Sequence, residues 1–235
     1  MEQELWSGPT KAIVDPMGAW LTNLSDDDGD ILYPKRAFQA SDGTKKDRGG
    51  LFVCLPNFGP GGSSGLAQHG FGRTQAWNVL DKTEASILLK LQPPEGEYAA
   101  LNAILSYQLN DQLLMAALDL TNDGDRDLRI APALHPYFAT GEGVVKVNGE
   151  EQILDELADT VFVEGEKQDI EIGGRMISCE SAQLTTWAKW TDQLGPYMCV
   201  EPTLAGYSFL NDASQPIELL KPGETRAFNL TLTWR

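Results

Sequence analysis

The chain has 235 residues, 42% hydrophobic and 22% charged, a balance too apolar for a disordered chain and long enough for one sizeable core. Lys and Arg total 18 against 34 Asp and Glu, and the net charge of −16 repels nucleic acid phosphates and anionic membranes, so neither is expected as a partner. A phosphorylated ligand would have to be held by a few arginines aimed into a pocket against that field, which makes each pocket arginine informative.

From the N-terminus, residues 11–15 and 19–24 read as two short strands broken by Pro16-Met17-Gly18, and Ser25-Asp26-Asp27-Asp28-Gly29-Asp30 reads as a turn before Ile31-Leu32-Tyr33-Pro34. The glycine of that aspartate run comes too early for an EF-hand calcium loop, which favours an Asx-rich turn. Residues 41–72 form a long Gly- and Pro-rich stretch that holds Arg48, Gln68 and His69 and runs into Arg73. Long loops of this kind usually carry function, and glycines beside such residues let backbone approach a small ligand.

Beyond it, near-alternating apolar residues over 85–91, 101–109, 113–120 and 128–134, punctuated by Asn110-Asp111 and Asn122-Asp123-Gly124-Asp125, predict an antiparallel meander with His135 at the end of its last strand. Shorter strands are expected near 144–147, 160–163, 170–172, 176–179 and 184–190. The run Tyr197-Met198-Cys199-Val200-Glu201-Pro202 reads as a buried strand interrupted by an acid, and 227–234 alternates cleanly. With no repeats, heptads or long amphipathic helix, the fold class expected is all-β: one large antiparallel β-sandwich domain over residues 1–235.

The chain has two histidines and three cysteines. Cys54, Cys179 and Cys199 are embedded among apolar residues and read as reduced core thiols; no Cys-x-x-Cys or His-x-His pair gives metal-ligand spacing, so no metal is expected. Met1-Glu2-Gln3-Glu4-Leu5-Trp6 has neither the basic nor the apolar region of a signal peptide, which predicts a cytoplasmic location. His135 lies among Leu134, Pro136, Tyr137 and Phe138, where partial desolvation suits an imidazole either to passive packing or to proton transfer. Glu201 in an apolar strand is costly unless paired or used.

Ala133-Leu134-His135-Pro136-Tyr137-Phe138, Gln68-His69-Gly70-Phe71-Gly72-Arg73, Arg48-Gly49-Gly50 and Cys199-Val200-Glu201-Pro202 resemble the signature segments of the aldose 1-epimerase (galactose mutarotase-like) superfamily, most closely its hexose-6-phosphate branch. The likeness runs in order from Gly18-Ala19-Trp20-Leu21 to Leu220-Lys221-Pro222-Gly223-Glu224-Thr225. It departs at Ala188-Lys189-Trp190, where that branch usually shows Asn-Pro-Trp. The resemblance implies the β-sandwich of that superfamily and interconversion of α and β anomers of a hexose, with Glu201 as base and His135 as acid. It also implies that His69 orients the sugar and that Arg48, Arg73, Gln68 and Asp159 bind sugar or phosphate. No cofactor is implied, and the partner is a small sugar or sugar phosphate, with the chain a monomer or weak homo-oligomer. Two alternatives stand beside it: a non-catalytic sugar-binding domain, and a serine hydrolase using Ser63 in Gly61-Gly62-Ser63-Ser64-Gly65, a motif that requires a strand before it and a helix after it.

Overall fold

The computed structural model describes residues 1–39, 43–207, 209 and 218–235. Nearly every regular element is a strand, and all strand pairs are antiparallel. One sheet runs in the order Gln3–Ser7, Thr10–Asp15, Trp20–Asp26, Gly29–Leu32, Ala133–Ala139, Tyr197–Thr203, Thr186–Trp190, Val161–Glu164, with Leu51–Cys54 bridging Ala133–Ala139 and Trp20–Asp26. The second runs Glu150–Glu151, Val145–Val147, Lys167–Ile172, Arg175–Glu180, Thr225–Trp234, Leu113–Asn122, Leu101–Leu109, Ser86–Leu91, Trp77–Lys82. No helix among the described residues is long and apolar enough to cross a membrane.

The period of two along each strand sorts side chains between the faces. Leu51, Val53, Leu134, Phe138, Met198 and Val200 of the first sheet share one apolar cluster with Leu89, Leu105, Leu118, Phe228 and Leu230 of the second, so this cluster is the sandwich filling. The intervening residues Phe52, Cys54, Ala133, Tyr137, Ala188, Tyr197 and Cys199 form a separate buried cluster on the opposite face of the first sheet. That second, largely aromatic layer lies on the face that carries the site, and its Tyr137 lines the cavity.

The structure differs from the sequence reading in several places. Residues 128–134 are not one strand: Leu128–Arg129 pairs with Leu219–Leu220, and a new strand begins at Ala133. Pro132 between them has no N–H to extend a ladder. His135 is consequently in the middle of Ala133–Ala139 rather than at a strand end, and it is held from both sides. The 41–72 stretch, whose first two positions lie outside the described residues, contains the strands Lys45–Arg48 and Leu51–Cys54. Leu51–Cys54 is buried on both faces, so it shows no alternation to read. Gln3–Ser7 and the exposed edge strand Trp77–Lys82 were also absent from the expected set; the latter has nothing to alternate against.

The aspartate run forms an Asx turn. Asp26 Oδ1 accepts from the Asp28 N–H (3.0 Å) and Arg175 (2.7 Å), and its Oδ2 accepts from Trp234 Nε1 (2.9 Å), which leaves this carboxylate committed to protein donors.

Candidate active site

The strand pairs Ala133↔Thr203 and Tyr137↔Cys199 share one register and bracket His135 and Glu201. The two residues therefore face each other across neighbouring strands, and cross-strand partners share a sheet face. His135 Nε2 lies 3.1 Å from Glu201 Oε2, with the residues 3% and 2% exposed. Phe52 (ring centroids 4.5 Å) and Tyr137 (4.7 Å, nearly parallel) enclose the imidazole. Burial drives the His135 pKa well below the ordinary histidine value, with His69, Arg73 and Arg48 adding to the effect, and drives that of Glu201 well above the usual carboxylate range. Both shifts favour the neutral forms, so a proton shared by the pair is pushed from histidine toward glutamate.

His69 comes from the other long segment and meets His135 edge to face, 5.1 Å between centroids. Its loop is pinned rather than loose. The His69 N–H donates to Gly59 O (2.8 Å), and the Phe71 and Gly72 N–H groups both donate to Leu55 O (2.7 and 3.0 Å). Gly70 permits this: its φ is +66°, and a Cβ there would sit 2.1 Å from the Leu55 carbonyl oxygen. The Gly59 N–H donates to His69 Nδ1 (3.2 Å), which assigns the proton of the neutral ring to Nε2, beside the Gln68 amide at 3.4 Å.

Burial, with Arg73 and Arg48 adding, lowers the His69 pKa to about 3. His69 is thus a neutral donor at physiological pH. A folded value depressed from 6.5 means that the unfolded chain binds the proton first. The stabilisation is complete above about pH 6.5 and is lost as pH falls toward 3, at up to about 1.4 kcal/mol per pH unit. His69→Asn keeps an acceptor for Gly59 and tolerates the local φ of +64°. Between pH 7 and 5 this variant should lose about 2 kcal/mol less stability than the wild type in urea unfolding; equal losses would show that His69 is not the buried neutral group described.

The two arginines line the same cavity but are differently engaged. Arg48 Nε donates to Asp192 Oδ2 (2.9 Å) and its Nη2 lies 2.8 Å from the same oxygen, while Tyr197 donates its hydroxyl to Asp192. Its charge is already balanced. Arg73 stands over the Phe52 ring (5.0 Å), donates to Gln68 O (3.3 Å), and has no carboxylate partner among the described residues.

His135, Glu201, His69, Gln68, Arg48 and Arg73 all line one cavity of about 110 Å³. Asp159 does not: it is exposed and outside the lining, and its neighbour Thr160 lines the wall instead, hydrogen-bonded to the Tyr207 hydroxyl (2.6 Å). Phe58, stacked on Tyr207 at 5.5 Å, and Trp190 complete the wall. Thr160, Phe58 and Tyr207 had no sequence signal beyond residue type. Trp77 and Trp187 are core residues, whereas Trp190 lines the cavity, where it can meet a sugar face.

A larger depression, about 700 Å³, lies against the second sheet among Lys167, Asp169, Glu171 and Glu180. It contains neither a histidine nor a buried carboxylate; the buried titratable pair lines the smaller cavity. Ser63 is exposed in a single turn of 3-10 helix, Gly62–Ser64, with none of the strand and helix that a hydrolase nucleophile needs, and the hydrolase alternative falls with it.

The chain resembles known proteins in sequence and in fold. A curated relative from Salmonella typhimurium, provisionally named glucose-6-phosphate 1-epimerase, is 28% identical over 122 residues, covering 48% of this chain and 40% of its own length. One of the same name from Cenchrus ciliaris is 28% identical over 162 residues, covering 60% and 48%. The chain spans about half the length of the curated relatives it matches. Among solved structures, a galactose mutarotase-like protein from Lactobacillus casei superposes with a TM-score of 0.80 at 16% identity, covering 100% of both chains. A protein from Escherichia coli K12 provisionally named aldose 1-epimerase gives 0.79 at 19%, covering 100% of this chain and 99% of its own. The fold is therefore that of the galactose mutarotase-like proteins. The sequence profile of the family described as Aldose 1-epimerase matches residues 4–171, and this chain belongs to that family.

Proposed function

We propose that the protein interconverts the α and β anomers of an aldohexose, and that the sugar carries a phosphate, as in glucose 6-phosphate. The observation that carries the reading is the buried His135–Glu201 contact at 3.1 Å. Ring opening of a hemiacetal takes a proton from the anomeric hydroxyl and gives one to the ring oxygen, and both oxygens are bonded to the same carbon. The base and acid serving them must be neighbours, as these two are. Glu201 accepts the hydroxyl proton, His135 delivers one to the ring oxygen, the C1–ring oxygen bond breaks, and the aldehyde turns about C1–C2 and recloses on its other face.

The direction of the pKa shifts disfavours the ionised pair that begins this step and favours the pair that ends it. The reactive pair is carboxylate and imidazolium; after opening it is carboxylic acid and neutral imidazole, the forms that burial prefers. Closure returns the proton. His69 Nε2–H is placed to donate to a sugar oxygen at the same centre. A binding domain without catalysis would gain nothing from burying an acid and an imidazole at this cost. No step calls for a cofactor.

The phosphate part of the reading rests on Arg73, the lining cation without a carboxylate partner among the described residues. A guanidinium fork suits phosphate oxygens, and a charge-assisted contact contributes about 1.5–3 kcal/mol. Exchange NMR on glucose 6-phosphate and free galactose tests the whole reading, and acceleration of neither would overturn it. Arg73→Ala should lower kcat/KM for the phosphorylated sugar by about 10- to 100-fold and leave free galactose nearly unchanged. An equal loss on both sugars would separate Arg73 from phosphate recognition.

A further inference from the structure

Cys199 does not line the cavity, yet it lies two residues before Glu201 on the same strand, and the period of two puts its thiol on the face of that carboxylate. One donor atom each from His135, Cys199 and Glu201 lies within 4.8 Å of the other two. Tetrahedral bonds of about 2.0–2.3 Å hold neighbouring donors about 3.3–3.8 Å apart, so side-chain movements of at most about 1–1.5 Å close the triangle. Independently, Glu201 Oε2, which faces His135 Nε2 at 3.1 Å, makes no hydrogen bond, and neither does His135 Nδ1, although both residues are almost wholly buried. Lone pairs in that condition are ready to coordinate.

We propose that His135, Cys199 and Glu201 form a binding site for a thiophilic divalent cation of the zinc class, which takes the place of the anomeric centre and switches the enzyme off. The binding stands on this donor set alone; its inhibitory consequence rests on the epimerase reading above.

A nitrogen, sulfur and oxygen set selects borderline ions such as Zn²⁺ and Co²⁺ over Mg²⁺ or Ca²⁺, which prefer all-oxygen shells. Arg73 opposes a cation here. Two anionic ligands outweigh it, Arg48 is already balanced by Asp192, and the net charge of −16 draws cations toward the protein. Binding is an exchange without redox change: the Cys199 thiol proton and the proton held by the His135–Glu201 pair leave as the three metal–ligand bonds form. The site was invisible in the sequence because its ligands come from two strands far apart in the chain.

Cobalt is the probe of choice, since thiolate ligation gives it a charge-transfer band. Co²⁺ added to the whole protein should bind one to one and develop that band. Cys199→Ala should abolish it, and Cys179→Ala, in the second sheet, should retain it. In the anomer-exchange assay Zn²⁺ should compete with the sugar, EDTA should restore the rate, and Mg²⁺ at the same concentration should have no effect. Cys199→Ser, which nearly conserves volume, should raise the Zn²⁺ inhibition constant by at least about 10-fold while keeping the uninhibited rate. Cobalt bound without a thiolate band, or equal zinc sensitivity in wild type and Cys199→Ser, overturns the proposal. If the protein accelerates no sugar, the cobalt spectrum still decides whether the site exists.

Discussion

Glu201→Gln and His135→Asn should each slow anomer exchange by about 10² to 10⁴-fold, the span expected for losing one general acid or base. Gln keeps the shape of the Glu201 side chain, Asn keeps a hydrogen-bonding edge at His135, and both remove the ability to carry a proton. Neither should unfold the protein, because each removes an ionisable group that burial disfavours in its charged form. The double variant should be little slower than either single one, since the two groups act as a unit on oxygens of one carbon. Exchange NMR at saturating sugar, with circular dichroism as the folding control, makes the measurement. A wild-type rate in either single variant would refute the role given to that residue.

Phe138→Ala should cost about 3–5 kcal/mol of stability and lower Tm by on the order of 10 °C. Phe138 is fully buried in the sandwich filling, three residues from His135 and on the opposite face of the same strand. The cavity opens between the sheets, not in the site. At a temperature where the variant is still folded, its activity per folded molecule should therefore stay near wild type. The pairing of this variant with His135→Asn separates the two faces of one strand: one change lowers stability and spares the rate, the other does the reverse. Denaturant unfolding with parallel activity assays checks it, and a loss below about 1 kcal/mol would mean that the filling does not depend on this ring.

Much of this organisation is legible along the chain because it is local. Alternation over 101–109 and 227–234 requires strands with one buried face, and both are present as Leu101–Leu109 and Thr225–Trp234. An acid in the apolar run at Glu201 and a histidine amid Leu134 and Phe138 marked two residues whose burial had to be explained. The order of the motifs pointed to the family.

Tertiary structure decided what depends on partners distant in sequence. The period of two tells which residues share a face, but not which strand lies alongside, and only the register Ala133↔Thr203 and Tyr137↔Cys199 sets His135 against Glu201. Leu51–Cys54 is buried on both faces and so carries no alternation, and Pro132 sets where the His135 strand begins. Arg48 and Arg73 look alike as residue types; Asp192 neutralises the first and no carboxylate among the described residues meets the second. Asp159 and Thr160 are adjacent in the chain, yet only Thr160 reaches the cavity. The sequence by itself determined the strands, the buried titratable residues and the family; the long-range strand pairing, whose contacts no local pattern encodes, decided which of those residues meet and with what charge.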